Sequence, residues 1–200
     1  MSFIEDGTGK GYIAKVNTKN RLHVQSVVTS ALAQAGVDGA AWTMPNTTTL
    51  TSANPSAVAY IKNTGTTAMV FRDLTLMFNK SNESTGTPNP LQTIKIEIKG
   101  GIVTENLPNT LIQIPLRPSK AQTISITAKG GIEGSAVTAG VTISTYYVQC
   151  GSTPHIIAAG EGYFFLEPAS TLAVVLTPPA GNTNLLCSSV VAIFIPDETL

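Results

Sequence analysis

Two histidines, two cysteines and a few adjacent carboxylates are the side chains in this 200-residue sequence best suited to chemistry. His23 lies inside the alternating run RLHVQSVV, and His155 follows Pro154 in what reads as a loop. A serine hydrolase needs its nucleophile on a Gly-x-Ser-x-Gly elbow with a positioned base, and no such elbow occurs. Cys150 and His155 are close in sequence, but the four Cys and His together match no zinc spacing. The paired carboxylates, Glu5-Asp6 and Asp197-Glu198, sit at the two extremities, where they read as solvated tails and not as an acid/base couple. The expectation is a chain that is not an enzyme and holds no metal or cofactor.

The run Gly7-Thr8-Gly9-Lys10-Gly11 has the look of a phosphate loop and fails its test. A P-loop places Ser or Thr after the Gly-Lys pair and follows a buried strand, whereas here Gly11 stands in the hydroxyl position. Tyr12 likewise occupies the third glycine of a dinucleotide fingerprint. A glycine-rich arm over 1–20 fits better, ahead of a single domain over 21–200. Gly7, Gly9 and Gly11 free the backbone to follow a foreign surface. Tyr12 to Val16 alternates and could add as a strand to a neighbour's edge, with Lys15 and Arg21 meeting an acidic partner. The same five residues could equally be the first strand of the chain's own sheet.

Aromatic side chains offer a third possibility, a sugar-binding face built from Trp42, Tyr146-Tyr147, Tyr163 and Phe164-Phe165. In consecutive strand residues one ring must point inward and the next outward. Core rings plus ordinary surface rings are the simpler expectation.

These residues must be held by something, and the composition says what kind of scaffold. Apolar residues make up 42% and charged residues only 12%, with Thr occurring 27 times and Ser 15 times. That is the reverse of a disordered composition. Zero formal net charge argues against a protein that binds nucleic acid by neutralising phosphates. All 12 Lys and Arg lie at or before Lys129, with seven acids, giving +5; the rest carries five acids and no base, giving −5. Such halves could register neighbouring copies head to tail, and the expected assembly is a trimer. The start has no apolar leader core, and Val190 to Ile195 is too short to span a bilayer. No membrane association is expected, and synthesis in a reducing cytoplasm makes Cys150 and Cys187 buried thiols in strands. Sequons at Asn46, Asn79 and Asn82 then read as Thr-rich loops.

Period two dominates the chain. Strands are expected over 57–62, 68–78, 91–99, 110–116, 121–128, 136–148, 163–166, 171–176 and 185–195. Ile94, Ile96 and Ile98 point one way while Lys95, Glu97 and Lys99 point the other. Asn63 to Thr67 reads as a hairpin loop, and Gly100-Gly101 and Gly130-Gly131 as two corners of a repeated strand–Gly-Gly–strand unit. A turn or two of helix fits 29–41, interrupted by Gly36 and Gly39. The whole is expected to be all-β, a jelly-roll-type antiparallel β-sandwich with a short N-terminal arm.

Three stretches resemble a known group. Glu5 to Gly9, Tyr12 to Asn17 and Asn20 to Val24 are similar to the opening of many tailed-bacteriophage virion proteins. Gly160 to Pro168, Thr171 to Val174 and Pro178 to Asn182 resemble their closing strands, and Ala59 to Thr64 a first sandwich strand entering its turn. The resemblance implies a non-enzymatic virion component, foremost a capsid decoration (cement) protein that stabilises the head shell. Its partners would be copies of itself and the major capsid protein. A tail or baseplate subunit, or a carbohydrate-binding attachment module, are the alternatives. Low charge suits such a role, because every Lys or Glu in an interface core must be desolvated.

Overall fold

The computed structural model describes residues 35, 37–80, 93–149, 155–158, 164–180 and 185–195. By contacts the chain divides into Met1–Ser30 and Ala31–Leu200. The first unit, and with it the expected boundary near residue 20, lies outside the described residues.

Among the described residues twelve strands run in order: β1 (Ala41–Leu50), β2 (Ser56–Asn63), β3 (Met69–Lys80), β4 (Thr93–Glu105), β5 (Asn109–Thr110) and β6 (Ile114–Pro115). After a 3-10 turn at Pro118–Lys120 come β7 (Ile126–Gly130), β8 (Val137–Gln149), β9 (His155–Ala158), β10 (Phe164–Leu166), β11 (Thr171–Thr177) and β12 (Leu185–Phe194). One sheet has the order β10-β3-β12-β1-β6, with β9 also on β3; the other has β5-β7-β2-β11-β4-β8. The pairing is nested: β1 with β12, β2 with β11, β3 with β9 and β10, β4 with β8, each antiparallel. Successive rungs of this doubled chain alternate between the sheets. That rolled ribbon is the jelly roll, and the molecule is an all-β sandwich.

Period-two alternation builds the inner faces. Ile94, Ile96 and Ile98 of β4 are buried against Phe71, Leu74, Leu76 and Phe78 of β3 in one core. Phe71 and Phe164 pack with ring centroids 5.9 Å apart at 47°, a tilted arrangement favoured by ring quadrupoles. β2 and β11 are buried along nearly their whole lengths. Their outer faces, with Ala57, Tyr60, Ala173 and Val175, pack into a second cluster with Ile102 and Leu107. Burial on both faces is what makes β11 a continuous apolar run.

Several expectations are corrected. Asn63 to Thr67 is not a hairpin loop: β2 and β3 lie in different sheets, because their edges are taken by other strands. The loop is an arch between layers. Asn63 is buried at its base, donating from Nδ2 to the carbonyls of Thr67 and Leu166 (both 2.8 Å) while Oδ1 accepts the Gly65 N–H (2.9 Å). Gly100-Gly101 does not turn the chain either, since β4 runs through it to Glu105. Gly101, at φ +71°, makes an irregularity that the strand passes through. Gly130-Gly131 does end β7, and there an added Cβ on Gly131 would lie 1.7 Å from the Ala57 carbonyl oxygen.

Within the span expected to be helical, Ala35, Val37 and Asp38 are helical, and Gly39 ends the turn at φ +76°. Ala40 N–H closes on the Ala35 carbonyl at 2.7 Å, the six-to-one bond of a glycine C-cap. β1 then begins at Ala41, where no strand was expected. Pro45 is tolerated because β6 pairs only with Trp42 and Thr43, leaving that side of Pro45 without a ladder partner among the described strands. The expected strands 110–116 and 121–128 shrink to β5, β6 and β7. His155 opens β9 and is not in a loop.

Candidate contact surface

The lateral side of the sandwich where β8 and β10 end their sheets differs from the other. β8, thirteen residues long, pairs with β4 at eleven positions, and among the described strands nothing pairs with its outer edge. Its sequence, VTAGVTISTYYVQ, has no charge and no proline. Val141 is 74% exposed, Tyr147 67% and Ile143 50%, and Phe165 on β10 is 59% exposed. Sheet edges are ordinarily guarded by charge, proline or brevity. The opposite edges follow that habit: β5 and β6 have two residues each, and β6 ends in Pro115.

Local geometry shapes this side. Two register shifts interrupt the β4–β8 ladder: Ile143 is the extra residue on β8, and Val103 the extra residue on β4. Between them Gly101, Ala139 and Gly140 all have positive φ. Thr171 fastens the distortion from the neighbouring strand: its Oγ1 accepts the Ile102 N–H at 2.6 Å and donates to the Ile102 carbonyl at 3.2 Å. An added Cβ on Gly100 would come within 2.7 Å of Ile143 Cδ1, so the bare glycine gives that side chain its seat. The result is a groove of about 510 Å³ lined by Gly100, Gly101, Val141, Ile143, Phe164–Leu166 and Ser170–Leu172.

Several charges are engaged within the fold, one pair of them on β4 beside β8. Lys95 Nζ lies 3.1 Å from Glu97 Oε1, which also accepts from Thr142 Oγ1 at 3.4 Å. Lys129 pairs with Glu105. Burial pushes the Glu105 carboxyl up, but Lys129 and the Leu107 N–H outweigh it and hold it below its ordinary value. Burial and the Glu105 charge raise the Tyr60 phenol. Glu133, one of the five acids behind the −5 half, accepts the Thr51 N–H and Ser52 N–H at 2.8 and 2.6 Å. The side-chain hydrogen bonds of Thr51 and Ser52 foremost, with these N–H donors, hold its carboxyl at about 2. It ties two loops together, so its charge is engaged inside the fold.

No family model matches the chain, and no curated protein matches it. Solved structures similar to it include two of infectious bursal disease virus. The Gt-strain structure is 12% identical, with 77% of this chain and 41% of that one covered and a TM-score of 0.12. For the Gx strain the values are 14%, 76%, 42% and 0.13. The chain spans less than half the length of those proteins, and the scores are too low to bear on fold or function.

The residues singled out from sequence fare unevenly. Gly7, Gly9, Gly11, Tyr12, Lys15, Arg21 and His23 lie outside the described residues, as do Cys150 and the terminal acid pairs. Cys187 is a free thiol in β12, and burial pushes it up to about 12. Among the described residues no group of three His, Cys, Asp or Glu could hold a metal, and no helix is long and apolar enough to cross a membrane. Tyr146 and Phe164 pack on the core while Tyr147 and Phe165 face outward, as alternation requires, and Trp42 is buried. Asn46 lies within β1 and not in a loop, its amide donating to the Val58 and Gly131 carbonyls at 2.8 and 3.2 Å. Val141 and Ile143 were not singled out, although the uncharged, proline-free run around them is visible in the sequence.

Proposed function

We propose that this chain is a non-enzymatic structural subunit of a tailed-bacteriophage virion, a capsid decoration protein made in the host cytoplasm and acting on the particle. The unguarded outer edge of β8 carries the reading. A long neutral strand with exposed Val141, Ile143 and Tyr147 is a liability in a chain that works alone and an asset in one that works packed against others. The resemblance to phage virion proteins supplies the setting, and the low charge of the whole chain agrees with surfaces that become buried.

Co-sedimentation with purified head shells lacking this chain tests the proposal. Saturable binding that raises the temperature at which the shells open is the expected result. Shells that neither bind the protein nor gain heat resistance would overturn it, and binding to tails alone would move the chain to the tail.

A further inference from the structure

We infer that the β4–β8 ribbon beyond Gly101 is a cover over the outer face of β2 and β11, latched by the Glu105–Lys129 pair, and that acid opens it while the sandwich stays folded. This goes beyond the decoration reading and does not depend on it.

The ribbon leaves its sheet at a corner built into both strands. β4 pairs with β11 only as far as Gly100, opposite Leu172. Its next rungs, Ile102 with Ala139 through Glu105 with Val137, are shared with β8. Gly101 and Gly140 lie between the same two rungs, and both have positive φ, +71° and +86°, with Ala139 at +57° beside them. Left-handed residues in both strands at one level bend a ribbon sharply. The bend lays Ile102, with Leu107 just past the strand end, on the apolar outer face formed by Ala57, Tyr60, Ala173 and Val175.

The cover is seated lightly. Its cluster is separate from the main core, and it contributes Ile102, Leu107 and the half-buried Val137 to that cluster. A segment held by so few apolar side chains opens at lower free energy than the core beneath it. Its far end meets the body through one carboxylate. Glu105 accepts from Lys129 Nζ on β7, and its second oxygen accepts the Leu107 N–H at 3.0 Å. The bonds between Asn106 and Ala136 run within the cover itself. The chain rejoins the body at Asn109 on β7 and at Ser135, whose carbonyl accepts the Ala57 N–H at 2.8 Å, so opening is a lift between fixed points.

Lys129 and Tyr60, opposite each other on β7 and β2, are the titratable groups that face Glu105. Lys62, two residues along β2, is exposed; β11 and residues 137–140 of β8 supply no titratable group, and Glu133 is turned to Thr51 and Ser52. Burial raises the Glu105 carboxyl, but Lys129 and the Leu107 N–H hold it below its ordinary 4.5. The latch is therefore complete above about pH 4.5 and is lost as pH falls through the lower folded value.

The test uses the full chain and two readouts. Ala173 is fully buried beneath the cover, so the thiol of Ala173→Cys reacts when the cover lifts, while Cys187 in the main core reports opening of the whole fold. Position 173 should label at least about tenfold faster than Cys187, and Glu105→Gln should quicken it about tenfold again with Cys187 unchanged. Lys129→Met should act alike, and the double variant should open no further than either single one. Hydrogen exchange reads the same event without a new cysteine. Corrected for intrinsic rates, wild-type amides 102–107 should exchange faster at about pH 3 than at about pH 6, and those of E105Q should be fast at both. Equal labelling of position 173 and Cys187, or cover amides that exchange no faster than those of β3, overturns the separate cover. An E105Q or K129M cover as slow to open as wild type overturns the latch. Acid opening that persists undiminished in E105Q assigns it to another group and overturns the pH sensing.

Discussion

Glu133 and Thr51 are 82 residues apart and share two hydrogen bonds: the carboxylate accepts the Thr51 N–H at 2.8 Å and its hydroxyl at 2.5 Å. With the Ser52 N–H also donating, the pair staples the loop after β7 to the loop after β1. The folded-state pKa of about 2 lies below the ordinary 4.5. The staple's contribution is therefore fully present above about pH 4.5 and is lost as pH falls towards 2. Glu133→Gln should cost about 1 kcal/mol at neutral pH, a value kept small because the carboxylate reaches solvent. It should also flatten the acid limb of the stability curve. Denaturant melts of both proteins between pH 2 and 7 check this, and parallel curves would show that the staple does not hold.

Asn63 uses its whole amide. Two donor bonds and one acceptor bond satisfy it at a fully buried position beneath the arch between the sheets. Asn63→Ala strands the Thr67 and Leu166 carbonyls and the Gly65 N–H, and should cost about 2–4 kcal/mol. Asn63→Asp should be at least as damaging, because its carboxylate cannot donate to either carbonyl. Thermal unfolding decides it; a loss no greater than that of a surface Asn→Ala control would refute the hub.

Two glycines with similar backbone should respond differently to alanine. Gly39 and Gly101 sit at φ +76° and +71°, but a Cβ on Gly101 meets nothing within 4 Å. On Gly39 it would lie 1.9 Å from the Lys120 carbonyl oxygen. Gly101→Ala should cost about 1 kcal/mol, the ordinary penalty of left-handed backbone. Gly39→Ala should cost about 3 kcal/mol or more, because the Gly39 turn is also held to that segment by Gln122 N–H on its own carbonyl. Equal losses in denaturant midpoint would mean that the close approach is relaxed at no cost.

These cases show where the sequence was informative. β4 announced itself because one face is wet, so Ile94, Ile96 and Ile98 alternate with charged partners. β1 did not: Pro45 and four threonines mask a strand whose Met44 and Leu50 are buried in the core shared with the other sheet. The arch at Asn63 and a hairpin share one local signature, and only the sheet assignment of the flanking strands separates them. Gly100-Gly101 was ambiguous between corner and bulge for the same reason, since the deciding hydroxyl lies about 70 residues away on Thr171. The contact edge was hidden more deeply. Val141, Ile143 and Tyr147 look like any half-buried strand until the pairing shows that β8 is last in its sheet.

That distant hydroxyl gives the final prediction. Thr171 is buried, and its Oγ1 both accepts from and donates to the backbone of Ile102. Thr171→Val keeps the shape and removes the oxygen, leaving the Ile102 N–H without its acceptor at a cost of about 2 kcal/mol. Thr171→Ser keeps the oxygen and should lose less. Because Gly100 and Gly101 form the groove wall beneath Ile143, a loosened bulge should also quicken amide exchange at Ile102 before any other β4 residue. Hydrogen exchange on the two variants separates the hydroxyl's bond from its packing. If T171V exchanges at Ile102 as slowly as T171S, sterics alone hold the bulge and Thr171 is not its fastening.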